Sequence, residues 1–160
     1  EVIVTCGSPE KCARAIEIGG NHAIDCRNQD FGAEVARITA GKGVHLVLDM
    51  VAGDYVARNL KCLGVDGRHV TIAVQGGARA EISMAQVMSR RLTLTGSTLR
   101  PRSNAFKALL ADEIARNVWS LVESGELRPV MDRVFPLAQA AQAHARMESG
   151  DHVGKIVLEV

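Results

Sequence analysis

The sequence predicts an α/β fold in which helices cover both faces of an open parallel sheet. Three observations support this prediction: short β-branched runs alternate with amphipathic stretches, glycines end most of those stretches, and polar residues follow the strand-like runs. Regular alternation of strand and helix is typical of a doubly wound sheet. The chain has 160 residues, 47% of them hydrophobic, which suffices for one domain with a buried core. We therefore expect residues 1–160 to form a single domain.

The first strand, turn and helix are predicted from the opening residues. Val2–Thr5 is a run of four β-branched residues, which is typical of a strand covered on both faces. Gly7 ends this strand, and Ser8 stands where a helix N-cap is expected. Pro9 takes the first helical position, so we expect a helix from Pro9 to Ile18.

The remaining elements repeat this alternation and are recognised by the same signals, namely apolar periodicity, capping residues and terminating glycines. The longest amphipathic stretch, Asn104–Ser124, predicts one long helix, whereas Gly64 and Gly67 predict a tight link before the strand that follows them. The expected strands are His22–Asp25, Val44–Met50, Arg68–Ile72, Leu92–Ser97, Val130–Phe135 and Lys155–Val160, and the expected helices are Phe31–Thr39, Asp54–Leu63, Ser83–Arg90, Asn104–Ser124 and Ala138–Glu148.

Composition argues against several classes of function. Lys and Arg total 19 against 18 Asp and Glu, and aromatic residues make up 3%, so the chain has neither the charge nor the stacking platforms of a nucleic-acid binder. No apolar run approaches the length of a membrane span, which predicts a cytoplasmic protein. The cysteines, at positions 6, 12, 26 and 62, form no metal-binding spacing, so we expect buried thiols and no metal.

The turn after the first strand has the residues of a phosphate site. Dinucleotide folds that bind NAD place a carboxylate at the end of this kind of strand, where it hydrogen-bonds the ribose 2′-hydroxyl. Here the turn offers Gly7, Ser8 and Lys11, which would accept a phosphate and so favour NADP. In the alternative, Ser8 is only an N-cap and Lys11 a solvated residue, with Glu10 weakening the positive field. The local residues leave both interpretations open.

Three further features lie where strands end, the edge at which open α/β sheets bind ligands. Asp49 ends the apolar run that begins at Val44. The loop Gln75–Ala78 consists of small residues, so its backbone either approaches a ligand closely or serves as a flexible connector. Arg100 and Arg102 either hold an anion or are solvated.

Five stretches in succession resemble a known family: VIVTCGSPEKC, GVHLVLDMVAG, LGVDGRHVTIAVQGG, LTGSTLRPRS and SGDHVGKIVLEV. They resemble the zeta-crystallin-like quinone oxidoreductases of the medium-chain dehydrogenase/reductase superfamily, and most closely the branch of NADPH-dependent quinone reductases. The resemblance covers essentially the whole chain. It implies a Rossmann-like fold, NADPH as cofactor, and zinc-independent hydride transfer to a quinone-like or enone acceptor. It also implies a homodimer formed through the strand Leu92–Ser97.

The same resemblance implies which positions contact the cofactor. Two of them depart from the family, since relatives often carry Tyr at the position of Cys26 and commonly Asn at that of His152. No residue of the chain is implied as a catalytic acid or nucleophile. The implied contacts are Ser8, Lys11 and Cys26 near the adenosine 2′-phosphate, Val51 near the adenine or ribose, Val74, Gly76 and Gly77 on the nicotinamide ribose side, Ser97, Thr98 and Leu99 near the nicotinamide, and His152 toward the cofactor.

Compared with the family, the chain matches only the later part of the cofactor domain. A glycine-rich strand, turn and helix that bind the pyrophosphate would precede Val2, and a β-rich catalytic domain would precede those. We therefore expect a partial domain with two unpaired strand edges, because the first strand is central in this fold. The alternative function is a non-catalytic dimerisation or binding module with no activity by itself.

Overall fold

The computed structural model describes all 160 residues, which form two compact units, Glu1–Pro101 and Arg102–Val160. Every strand pair in both units is parallel, and strands alternate with helices through the first unit. The predicted α/β fold with parallel sheets is therefore confirmed. None of the helices combines the length and apolar character that crossing a membrane requires.

The first unit contains five strands and four helices. Helices α1, α2 and α4 begin at the capping side chains of Ser8, Asp30 and Ser83, each of which accepts a backbone N–H of the first turn. In chain order the elements are β1 (Ile3–Cys6), α1 (Pro9–Glu17), β2 (His22–Asp25), α2 (Phe31–Ile38), β3 (Val44–Asp49), α3 (Tyr55–Cys62), β4 (Leu63–Thr71), α4 (Met84–Arg90) and β5 (Thr93–Gly96).

These five strands form two separate parallel ladders. Strand β1 pairs with β2, and the second sheet has the order β3, β4, β5. Strands β1 and β3 therefore each have one edge without a strand partner, as expected from the sequence. Neither ladder includes the central strand that a doubly wound sheet of this order would place between them.

The second unit contains two parallel strands and three α-helices. Here α5 (Asn104–Asn117) and α6 (Trp119–Glu123) are followed by β6 (Met131–Pro136), a 3₁₀ turn at Leu137–Gln139, α7 (Ala140–Ser149) and β7 (Lys155–Glu159). Strands β6 and β7 pair with each other.

Two predicted elements differ from the structure. The stretch Asn104–Ser124 is two helices, because the backbone at Val118 (φ −122°, ψ −33°) leaves the helical region. The residues Gly64 and Gly67 lie inside β4 and not in a link before it. The pairing of β3 with β4 shifts register at this point, which accommodates residues 64–67 within the strand, with Asp66 at φ +62°.

Two hydrophobic clusters form the core of the first unit. One joins α3 and the turn before it to β4 and to the residue that precedes β5, and it consists of Ala52, Val56, Leu60, Leu63 and Leu92. The other packs α2 against β2 and α3, and it consists of Ile24, Phe31, Val35 and Cys62. Both include residues of α3, so this helix connects the β1–β2 ladder with the three-stranded sheet.

Replacement of Leu60 by Ala tests this role of α3. Leu60 is fully buried, so Leu60→Ala should lower the free energy of unfolding by about 2–5 kcal/mol in urea unfolding followed by circular dichroism. The neighbouring exposed Lys61→Ala should change it by less than about 0.5 kcal/mol. Equal effects of the two substitutions would contradict the assignment.

Candidate cofactor site

The turn after β1 is organised by Ser8. Its hydroxyl accepts the N–H of Lys11 at 3.3 Å, which makes Ser8 the N-cap of α1, and Lys11 is half-buried in the first turn. Glu10 lies at the same turn, and its backbone N–H and the Ser8 hydroxyl lower the pKa of its carboxyl group. Glu10 is therefore ionised near neutral pH, and its negative charge reduces the attraction of this turn for a phosphate. The capping role of Ser8 is established, while its contact with a phosphate stays a prediction.

Sequence reasoning missed a basic side chain at this turn. The guanidinium group of Arg27 lies so close to Gly7 that a β-carbon there would be 3.5 Å from Arg27 Nε. The backbone N–H of Arg27 is held by Asp25 Oδ1 at 3.1 Å. Its position directly after the second strand was the available signal, but only the fold brings that strand end beside Gly7.

Cys26 connects this turn to helix α3. Its backbone N–H donates to the carbonyl of Cys6 at 2.9 Å, and its side chain and that of Tyr55 pack against the same hydrophobic cluster. The Cys26 side chain, together with burial, raises the pKa of Tyr55. Tyr55 was not predicted as a site residue.

The loop after β3 and the loop after β4 are bonded to each other. The N–H of Gly76 donates to the carbonyl of Val51 at 2.6 Å, and the N–H of Gln75 donates to that of Met50 at 3.2 Å. Gly53 has φ +53°, and a β-carbon there would lie 2.4 Å from the carbonyl oxygen of Gly76. The loop Gln75–Ala78 is thus held by its neighbour, which favours close backbone approach over a flexible connector.

Asp49 forms hydrogen bonds with the backbone of the loop after β3. Its side chain is 2% exposed, and Oδ1 accepts the N–H groups of Val51 at 2.8 Å and Ala52 at 2.9 Å. Oδ2 accepts Asn59 Nδ2 and His69 Nε2, each at 3.0 Å. Burial by itself raises the pKa of Asp49, but the bonds from Ala52, Val51 and His69 outweigh it and lower the pKa. The ionised carboxylate only accepts hydrogen bonds, so the proton of His69 lies on Nε2.

The remaining predicted residues of the first unit lie at the same edge of the three-stranded sheet. The N–H of Ser97 donates to the carbonyl of Thr71 at 3.0 Å, which places the end of β5 beside the end of β4. Thr98 and Leu99 follow it and are exposed, as is Val74. Gly77, at φ +128°, closes a turn onto the carbonyl of Val74 at 3.1 Å. The fold therefore brings Val51, Val74, Gly76, Gly77 and Ser97–Leu99 to one edge.

His152 belongs to the second unit, in the loop between α7 and β7. Its Nδ1 atom is buried and has no hydrogen-bond partner. The next residue, Val153, donates its N–H to Asp132 Oδ1 at 3.1 Å, and Asp132 also accepts Nη2 of Arg146 at 2.7 Å. Asp132 thus fixes the loop that carries His152.

The chain's own residues do not form a metal site. No three of its His, Cys, Asp or Glu side chains converge closely enough to hold a metal ion. All four cysteines are free thiols.

Parallel strands with glycine-tight loops at their carboxyl edge define a Rossmann-like α/β domain of the dehydrogenase type. Comparison with known proteins agrees. A family model described as zinc-binding dehydrogenase matches residues 18–158, and the chain belongs to this family, within the medium-chain dehydrogenase/reductase superfamily of oxidoreductases.

Relatives of this chain include reductases and alcohol dehydrogenases. A 2-haloacrylate reductase of a Burkholderia species is 32% identical over 98% of this chain and 47% of its own length. The Escherichia coli quinone oxidoreductase complexed with NADPH superposes with a TM-score of 0.81 and 26% identity, over 98% of this chain and 49% of that chain. An NAD-dependent alcohol dehydrogenase superposes with a TM-score of 0.76 and 31% identity, over 100% of this chain and 44% of that chain. The chain thus spans about half the length of these relatives.

The carboxyl group of Asp132 should make the second unit sensitive to acid. The bond from Arg146 is the largest cause that lowers its pKa, to about 2. The ionised carboxylate therefore contributes to the stability of the folded state above the ordinary Asp pKa of 3.8, and this contribution is lost as the pH falls toward about 2. The difference in melting temperature between the wild type and Asp132→Asn should therefore shrink between these pH values. A difference independent of pH would contradict it.

Proposed function

We propose that the protein is an NADPH-dependent oxidoreductase that transfers hydride to a quinone-like or enone acceptor without a catalytic zinc ion. In this proposal the present chain supplies the cofactor-binding part. The observation that carries the proposal is the set of loops at the carboxyl edge of β3, β4 and β5, which are tight enough for a ligand to approach their backbone. Family membership and the NADPH-complexed structural relative support it.

The preference for NADPH rests on charge at the turn after β1. No carboxylate ends this strand, and the basic residues Lys11 and Arg27 lie at or beside the turn. Such basic groups and the N-terminus of α1 favour binding of a 2′-phosphate. Glu10 opposes this preference, so its strength is set by the balance of these charges.

The chain's residues bind and orient the cofactor. Bound NADPH would supply the hydride, two electrons with one proton, and a second proton would complete reduction of the acceptor. Val51 and the Gly76–Gly77 turn would hold the two ribose ends, while Ser97–Leu99 would approach the nicotinamide. The acceptor is proposed as a small conjugated carbonyl compound because the related proteins include a quinone oxidoreductase and a 2-haloacrylate reductase.

We also propose that a further strand completes the sheet. Strands β1 and β3 each have an unpaired edge, and a parallel strand between them would join the two ladders and carry the pyrophosphate-binding turn. We propose that such a strand, and a β-rich catalytic domain, belong to the same protein. The intact mass of the protein isolated from its source tests this, since a mass equal to that of these 160 residues alone would contradict it.

The alternative is a non-catalytic dimerisation or binding module. It is favoured by the unpaired edges and by the absence from this chain of any residue assigned to acid–base or nucleophilic chemistry. NADPH-dependent reduction of a quinone by the protein expressed from its complete reading frame would distinguish the two functions, because a non-catalytic module shows no turnover. We also propose a reducing, cytoplasmic location, because all four cysteines are free thiols.

A titration with both nucleotides tests the cofactor. The protein expressed from its complete reading frame should bind NADPH more tightly than NADH in calorimetry. Lys11→Ala should raise the Kd for NADPH by about tenfold and that for NADH by less than about twofold, because only the former carries the 2′-phosphate. Lys42→Ala, which removes an exposed lysine from the link between α2 and β3, is the control. Equal loss for both nucleotides would exclude a 2′-phosphate contact at Lys11.

Substitution in β5 tests the proposed homodimer. This strand pairs with β4 on one side only, and Thr93 and Thr95 are exposed on it. A double Thr93→Lys and Thr95→Lys variant would place like charges across a two-fold axis, so light scattering should show the mass halved. Ser89→Lys on α4 should leave the dimer intact. A wild-type monomer, or a variant that stays dimeric, would refute pairing through this strand.

A further inference from the structure

The buried Asp49 carboxylate contacts three different parts of the first unit. Its two oxygens accept hydrogen bonds from the turn at Val51 and Ala52, from Asn59 in α3 and from His69 in β4. All four bonds are between 2.8 and 3.0 Å long, and the carboxylate and the imidazole are both 2% exposed. Asp49 therefore cannot itself touch a ligand at the surface. Any influence on binding has to pass through the backbone that it holds.

The turn held by Asp49 has an unfavourable backbone conformation. Ala52 has φ +57°, a region that residues other than glycine rarely occupy without local compensation. The N–H of Ala52 is one of the two that Asp49 Oδ1 accepts, so the carboxylate compensates for this conformation directly. Without the carboxylate, the turn would relax toward other conformations.

Movement of this turn would reach the neighbouring loop. Val51 accepts the N–H of Gly76, and the space between Gly53 and the carbonyl of Gly76 is too small for a β-carbon. The two loops therefore cannot shift independently. They carry Val51 on one side and the Val74–Gly77 segment on the other, which are the proposed contacts with the two halves of the cofactor.

We propose that Asp49 is a positioning residue for the cofactor, which sets the spacing of the loops after β3 and β4 by holding the turn at Val51 and Ala52. This inference rests on the proposed function. Its competitor is a structural role alone, in which Asp49 only satisfies the buried donors of Asn59 and His69. The two roles predict different results for a folded Asp49 variant: a positioning role predicts weaker binding of NADPH, and a structural role alone predicts unchanged binding.

Asp49→Asn tests the proposal, with Asp54→Asn as the matched control. Asn retains the size of the side chain but has only one accepting oxygen. Its NH₂ group would face N–H donors that the second carboxylate oxygen now accepts. Asp54 lies just after the same turn, is exposed and makes no capping bond, so it controls for loss of charge. In calorimetry with NADPH at a temperature where both variants are folded, Asp49→Asn should raise the Kd about tenfold or more, and Asp54→Asn less than about twofold.

Gly76→Ala provides an independent perturbation of the same loop contact. Its β-carbon would lie 2.9 Å from Val51 Cγ1 and 3.1 Å from the Val51 carbonyl oxygen. It should weaken NADPH binding by itself, and the double variant with Asp49→Asn should bind within about twofold of the weaker single variant, because both act through one contact. Fully multiplicative effects would overturn the proposal. If Asp49→Asn does not fold, wild-type affinity in Gly76→Ala would overturn it as well.

A measurement without cofactor separates this inference from the proposed function. In ¹⁵N-labelled protein, Asp49→Asn should shift the amide resonances of Gly76 and Gly77, whereas Asp54→Asn should not. Unchanged resonances would overturn the positioning role whether or not NADPH binds. If the wild type fails to bind NADPH while these resonances shift, the proposed function fails and the mechanical link between the loops stands.

Discussion

The hydrogen bonds of the buried Asp49 carboxylate are the interaction on which the carboxyl edge of the three-stranded sheet depends. An ionised group with so little exposure is tolerated only when its oxygens are fully paired, and here backbone and side-chain donors pair them all. Those donors come from the strand end, the next helix and the next strand. The tight turn, its left-handed Ala52 and the contact with Gly76 follow from that arrangement.

The local signals in the sequence were sufficient for the fold class. Apolar runs, the N-cap Ser8 and terminating glycines predicted most strand and helix ends to within a residue or two, the start of β4 excepted. They predicted the carboxyl edge of the sheet as the location of the site for the same reason, since strand direction follows from chain order. The two misplaced boundaries depend on pairing: the irregular register of β4 against β3, and the break at Val118.

The contacts that the sequence did not predict join residues far apart in the chain. Arg27 reaches Gly7 because β2 lies beside β1, and Tyr55 meets Cys26 because α3 packs against the β1–β2 ladder. The periodicity of apolar residues does not predict such contacts, because the spacing of side chains along one element does not determine how a neighbouring element is aligned with it. Likewise, the apolar run from Val44 predicted that Asp49 ends a strand. The four groups that donate hydrogen bonds to Asp49 could be identified only from the structure.

The bonds of Asp49 span only 2, 3, 10 and 20 residues of chain. Closing loops this short costs little chain entropy compared with pairing distant strands. The segment from β3 through α3 to β4 therefore contains, within itself, the contacts that shape its turn. The hydrogen bonds that shape this turn therefore need no partner from outside residues 49–69.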